Sequence, residues 1–459
     1  MATLVESEAP DREQGERAPS ALPPSWHPAT RALFRFVFVY LGIGTAAQWL
    51  LAQLLRSVSV PETAVLTLGR WWSLPPLTDW FAANLFGIEE PLGYAPTGSG
   101  DTVTLWVAAF SWLVVATVAT AIWTVLDRRR IDYRSLDRWF RVLLRFALAG
   151  ALMLYGMVKV MPSQMTFALH RLIEPFGDMT PMGVLWSQTA ASKPYEIALG
   201  CTEIGAGLLL ILPATVTAGA ALSTVAMAQV FLLNMTFDVP VKLFSFHMLA
   251  LSLALLAPAS RRLATVLFSG KAVPPAGGSE LFSTARSNRF ALIAQVLLGL
   301  WLLVTTALEG WDAWHAYGAA RPRSPLYGVW NVAEYSVAGQ QLPPLLTDPN
   351  PFADPTSARL RRLVFDTVDG IHLQGMDDRL TWVPAAVDPE QHTITLFRDP
   401  AGQWKLGSFT YVESAPGRLV LDGTLGIRKV RMVLESVPLD QFALIERGFH
   451  WTQPSPHLE

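Results

Sequence analysis

The stretch NMTFDVPVKLFSFHMLALSL, Asn234 to Leu253, sets an acid, Asp238, a base, Lys242, and an imidazole, His247, at the start of an apolar run fit to cross a bilayer. Three further ionisable groups sit in similar surroundings. Lys159 lies in LYGMVKVMP, and Glu196 and Glu203 lie in YEIALGCTEIGAG. The two glutamates are seven residues apart, so two helical turns put them on one face. Charges inside a membrane are costly and face a bundle interior, a cavity or one another. Two chemistries follow. Opposite charges such as Glu203 with Lys159 or Lys242 can pin helices together, and a single histidine can be a hydrogen-bonded packing residue. The same groups can instead line a polar pocket for a small molecule, a lipid headgroup or a quinone, whose two ring oxygens each need a hydrogen-bonding partner. Asp238, just before Pro240, is placed to cap the helix carrying Lys242 and His247, because a first-turn proline leaves no amide unsatisfied. Lys242 can then reach the headgroups along its stem, with His247 about 7.5 Å deeper.

These residues need helices to hold them, and the composition supplies them. The chain has 459 residues, 51% hydrophobic and 16% charged, against about 25% charged in soluble domains. Residues 1–30 are polar and proline-rich and read as a disordered tail. Apolar runs of spanning length follow at about Leu33–Leu55, Thr104–Leu126, Val142–Met161, Tyr195–Leu212, Thr217–Leu233, Val241–Pro258 and Phe290–Leu308. The first is too long for a signal-peptide core and reads as a retained helix. A helical membrane domain over 31–310, a linker over 311–325 and a second domain over 326–459 are expected.

Lysine and arginine set the expected orientation. Arg128, Arg129, Arg130, Arg134, Arg138 and Arg141 lie between runs two and three, and Arg261, Arg262, Lys271, Arg286 and Arg289 between runs six and seven. The opposite loops, 56–103 and 162–194, hold Arg56, Arg70, Arg171 and Lys193. The amino terminus is therefore expected in the cytoplasm and the second domain outside, in the periplasm if the membrane is a bacterial inner membrane. The candidate polar residues all fall in the outer half. The oily outer segment RWWSLPPLTDWFAANLFGI reads as an interfacial helix capped by Thr78, with Trp80, Phe81, Leu85 and Phe86 on its apolar side.

From Val142 to Pro258 the chain resembles the DoxX-like family of four-helix membrane proteins. The resemblance rests on YGMVKVMP with Gly156 and Lys159, on EPFGDMTPMGVLW, on EIALGCTEIGAGLLLI with Glu203 and Gly207, and on NMTFDVPVKLFSFHML. It implies a four-helix bundle from runs three to six. Some members are subunits of quinone-reducing sulfur oxidation enzymes, and others are accessory factors in redox maturation or stress responses. A more distant similarity reaches membrane carboxylases that use a reduced quinone. With Cys201 as its one cysteine, this chain lacks the paired thiols of a relay.

Beyond about residue 320 the pattern changes to short alternating runs: GVWNVAEYSVAG, RLRRLVFDTV, IHLQGM, LTWVPAAVD, HTITLFRD, WKLGSFTYVES, RLVLDGTL, IRKVRMVLESV and FALIERGF. Eight or nine strands at regular spacing predict an antiparallel all-β barrel or sandwich. LYGVWNVAEYSVAG, with Gly328 two before Trp330, resembles the first strand of lipocalin-like barrels. In those barrels the tryptophan packs across the floor, often against an arginine near the last strand, a role open to Arg447. Such a barrel holds a small apolar ligand or is filled by its own side chains.

No basic run suggests nucleic acid, and His372, His392 and His450 lack metal-ligand spacing. No phosphate-binding loop, HExxH sequence or nucleophile elbow occurs. Three functions remain. The first is an accessory membrane protein whose barrel binds a lipid, a quinone or a periplasmic protein. The second is a redox enzyme or subunit using a quinone as cofactor near Lys159, Glu203 and His247. The third, a small-solute transporter, is least favoured, because the inner half of the bundle offers few polar residues.

Overall fold

A computed structural model describes residues 25–456 except 91, 95–96, 270, 274–279 and 345–358. The expected disordered tail falls outside the described residues over 1–24. Residues 25–30 are held: Trp26 N–H donates to Ile131 O at 3.0 Å, and a helix begins at Pro28. The sequence around Asp348 and Asp354, DPNPFADP, reads as turns, and it too lies outside the described residues.

Among the described residues, seven helices are long and apolar enough to cross a membrane: Pro28–Ser57, Val103–Leu126, Arg134–Val160, Lys193–Ile211, Val216–Thr236, Lys242–Ser269 and Ala285–Ala316, here spans one to seven. Spans one, six and seven overrun their apolar sequences, because the flanking polar residues continue the helix. Span seven runs to Ala316 and the first strand starts at Arg323, so the expected linker shrinks to 317–322. Spans three to six close a ring in which each packs on the next and six returns to three. Span three is the hub, with 72% of its apolar window buried against 22–39% for the others. Leu144, Leu148 and Leu152 from span three meet Ala206, Leu210, Met227 and Leu251 in the core.

Glycine sets the closest crossing. A Cβ on Gly156 would lie 2.8 Å from Gly200 O, and one on Gly200 would lie 2.5 Å from Gly156 O. Spans three and four therefore touch backbone to backbone, as small residues allow between membrane helices. The interfacial helix exists, but it starts at Pro75 and contains Thr78, so Thr78 is not its cap. The proline takes the first helical position, and the Thr78 hydroxyl donates to Ser73 O at 2.5 Å instead.

The second domain is the expected all-β barrel. Its strands are β1 Arg323–Val337, β2 Gln340–Gln341, β3 Leu360–Thr367, β4 Gly370–Gly375, β5 Leu380–Asp388, β6 Thr393–Phe397, β7 Lys405–Ala415, β8 Arg418–Leu425 and β9 Arg428–Val437. Each pairs antiparallel with its neighbour, β2 is a short flap on β1, and β1 pairs back to β9. Eight strands therefore close the barrel. Inward residues at alternate positions, among them Tyr335, Leu363, Phe365, Ile371, Leu421 and Leu434, form its core.

Candidate functional site

The Gly156–Gly200 crossing brings together the two charges that each lie three residues further along. Lys159 Nζ donates to Glu203 Oε2 at 2.8 Å and Oε1 at 3.1 Å, and to Tyr155 O at 3.2 Å. The two side chains are 8% and 5% exposed. With three acceptors around its three protons, the ammonium is saturated.

Glu196 shares the helix face of Glu203, as its spacing predicts, but does another task. Its Oε1 accepts from Met165 N–H at 3.3 Å and ties the segment after span three to span four.

The expectation for Asp238 does not hold. Asp238 has a left-handed backbone (φ 52°) in the turn before span six, and its side chain is 83% exposed. The cap is Asp101, from the segment before span two: Oδ2 accepts from Lys242 N–H at 2.8 Å and Oδ1 from Leu243 N–H at 2.9 Å. Asp238 reaches only the Lys242 ammonium, at 2.8 Å, while Asp101 lies 3.7 Å from it. Lys242 is thus flanked by two acids, one from the turn before span six and one from the segment before span two.

His247 belongs to a separate cluster. Its Nδ1 lies 2.8 Å from Leu243 O and its Nε2 3.1 Å from the Tyr40 hydroxyl. A carbonyl only accepts, so Nδ1 carries the proton, and in the neutral ring Nε2 accepts from Tyr40. Tyr40 comes from a π-helical stretch of span one, Phe38–Ala47. Trp49 lies 6.4 Å from the imidazole and 4.4 Å from Phe244, and Phe244 is 5.2 Å from Tyr155. Aromatic rings therefore separate the histidine from the Lys159–Glu203 pair. The six candidates do not form one pocket; they form a buried pair, a tether, a capping group and a histidine–tyrosine contact.

The half of the bundle away from the barrel is more polar than its sequence suggests. Arg35 donates to the Tyr133 hydroxyl at 2.7 Å and the Thr124 hydroxyl at 2.8 Å. Arg145 donates to Gln295 Oε1 at 3.0 Å, to Leu210 O at 2.8 Å and to Ile211 O. Leu210 and Ile211 end span four, so this arginine satisfies carbonyls that a helix end leaves open.

In the barrel, Gly328 has φ +152° where the β1–β3 register shifts, a backbone that favours glycine. Trp330 packs on the core and donates its indole N–H to Leu326 O at 3.0 Å. The role expected for Arg447 is not filled by it. Arg447 lies beyond β9, closing a helical turn through its N–H to Ala443 O. The cation over a ring at this end is Arg323, 4.5 Å from Tyr327. The interior cavity, lined by Leu363, Phe365, Leu373, Leu396, Phe409 and Met432 among others, is about 10 Å³. That is room for one water at most. The barrel is filled. Burial raises the Tyr335 phenol to about 12, and its hydroxyl has no hydrogen-bond partner among the described residues.

One feature had no signal in the sequence: the barrel is latched to the membrane domain. Asp366 on β3 accepts from Leu169 N–H at 3.1 Å and from Arg321 Nη2 at 3.0 Å on both oxygens. Gln374 Nε2 donates to Ile173 O at 3.1 Å. Leu169, Leu172 and Ile173 pack on Val329, Val364, Val437, Leu439 and Phe442. Across this seam His170 and His372 stack with centroids 4.0 Å apart. Burial, then the neighbouring His372 and Arg171, push His170 down to about 3. Burial lowers His372 too, with Arg171 adding to it and Asp366 opposing.

No family model matches the chain, and no solved structure matches it. An uncharacterised protein of Bacillus subtilis strain 168, YwoB, is 28% identical over 137 residues, 28% of this chain and 79% of that protein.

Proposed function

We propose that this chain is an accessory membrane protein whose helical bundle anchors and orients a filled barrel, leaving the far end of that barrel to dock a partner protein. The observation that carries the reading is the barrel itself: its interior is occupied by its own side chains, and the outer wall of β1, β3, β4 and β9 is latched to the membrane domain. At the end of the barrel away from Arg323, where the chain enters, Gly426 N–H in the β8–β9 turn donates to Leu406 O at the start of β7 at 2.8 Å. There Trp404 is 69% exposed and Ile427 fully exposed, the kind of apolar anchor that protein partners cover. The arginine-rich loops support an extracytoplasmic barrel, periplasmic in a bacterium. The DoxX-like resemblance of spans three to six is part of the same proposal and agrees with their four-helix ring.

A photo-crosslinker at Ile427 is expected to give a discrete adduct in cells, and one at Val412 on the barrel wall none. Equal, diffuse labelling at both positions overturns the docking reading. An alkaline phosphatase fused after Leu308 is expected to be active; an inactive fusion reverses the orientation.

A quinone-linked redox role is the second reading, favoured by the Tyr40–His247 contact beside the Trp49 and Phe244 rings. Mass spectrometry of molecules retained in lipid nanodiscs separates the two. Bulk lipid alone supports the accessory role. A quinone held by the wild type and lost in His247→Ala moves the chain to the redox class.

A further inference from the structure

We infer that the segment from Ala443 to Trp451 is a second membrane anchor, seated in the headgroup region of the leaflet on the barrel's side. Its sequence is ALIERGFHW. Four of its nine side chains are large, apolar and open: Leu444 is 59% exposed, Ile445 43%, Phe449 79% and Trp451 91%. Soluble surfaces rarely concentrate such groups. Phe449 and Trp451 contact each other edge to face at 5.0 Å and turn outward together.

Position identifies what covers them. The residues just before the segment, Leu439 and Phe442, are part of the seam between the barrel and the segment after span three. Ala443–Glu446 is a single helical turn, so Leu444 and Ile445 lie within about 5 Å of that seam along the axis. The seam sits at the membrane end of the barrel: Ala319 N–H, just past span seven, donates to Pro162 O at 2.8 Å, just past span three. The end of span seven carries Trp311, 52% exposed, and Tyr317, 60% exposed, aromatic side chains that favour the headgroup level. The exposed segment therefore continues an established apolar interface at bilayer height.

The charges do not set the kind of lipid. Glu446 and Arg447 cancel, so nothing in the segment selects anionic headgroups. Insertion is driven by apolar area and aromatic rings, and is insensitive to salt, unlike that of a polybasic anchor.

The test uses the whole chain in phosphatidylcholine nanodiscs with brominated acyl chains, read as the tryptophan emission lost between wild type and Trp451→Phe. The Trp451 emission is expected to be quenched more by bromines near the headgroup than by bromines near the chain terminus, equally at low and high salt. In a Leu444→Ser/Phe449→Ser variant it should become open to aqueous iodide. Trp451 emission quenched by iodide in the wild type and untouched by bromine overturns the inference. So does emission shielded from both quenchers, which would mean a second copy or the barrel itself covers the ring. A variant that unfolds is recognised by loss of the Arg321–Asp366 latch in protease digestion, and the wild-type comparison of the two bromine depths then decides alone.

Discussion

Lys159 and Glu203 show how a charged residue in an apolar helix can be read for its partner but not for its purpose. A lysine and a glutamate on neighbouring spans must find counter-charges, and here they find each other with the backbone of Tyr155 as a third acceptor. Lys159→Ala leaves a carboxylate without its cation inside the bundle, and thermal unfolding in nanodiscs should show a loss of about 3–5 kcal/mol. The exchanged pair, Lys159→Glu with Glu203→Lys, should recover part of it. If Lys159→Ala unfolds at the wild-type temperature, the pair is not holding the helices. In the barrel the opposite sign is expected. The Tyr335 hydroxyl is buried without a partner among the described residues, so Tyr335→Phe should stabilise the barrel by about 1 kcal/mol, seen as a higher melting temperature of the β-sheet signal.

The start of span six is an element whose architecture was only half legible. Asp238 had the residue type and position of a cap, and the sequence gives no reason to look further. The true cap, Asp101, lies 141 residues before Lys242, in a polar segment where an aspartate carries no signal. The left-handed backbone at Asp238 turns its carboxylate to solvent, where a pair with Lys242 is worth little. Asp101→Ala should therefore cost about 1–2 kcal/mol and speed amide exchange at Lys242 and Leu243, while Asp238→Ala should leave both near wild type. The reverse order would return the cap to Asp238. The seven spans and the strand pattern were legible because hydrophobic length and alternation are local properties. Which polar groups meet depends on the ring of spans three to six and the Gly156–Gly200 crossing, which no single stretch encodes. Tyr40 is the clearest case: it reaches His247 from a π-helical turn that the apolar run of span one does not announce.

At the scale of the whole molecule, the latch between the domains carries a pH dependence. Both seam histidines are held below their ordinary value, His170 to about 3, so the docked state binds fewer protons than the separated one. Docking is then fully present above about pH 6.5 and weakens as the pH falls from there toward 3, because protons favour the open form. Amide exchange over 169–173, corrected for intrinsic rates, should lose protection as the pH falls from 7 to 5 in the wild type, and much less when His170 and His372 are both Phe. Exchange that is pH-independent after correction for intrinsic rates, in both proteins, would remove the histidines from the latch.

Closure of the barrel through β1 and β9 also has a meaning in time. Val329 pairs with Val437, so the first strand to follow span seven waits for the last before its edge is covered. Such distant pairing is slow to form, and until it does the nascent sheet offers two open edges to any neighbour. Ribosomes stalled before residue 437 should therefore leave an aggregation-prone chain already fixed in the bilayer.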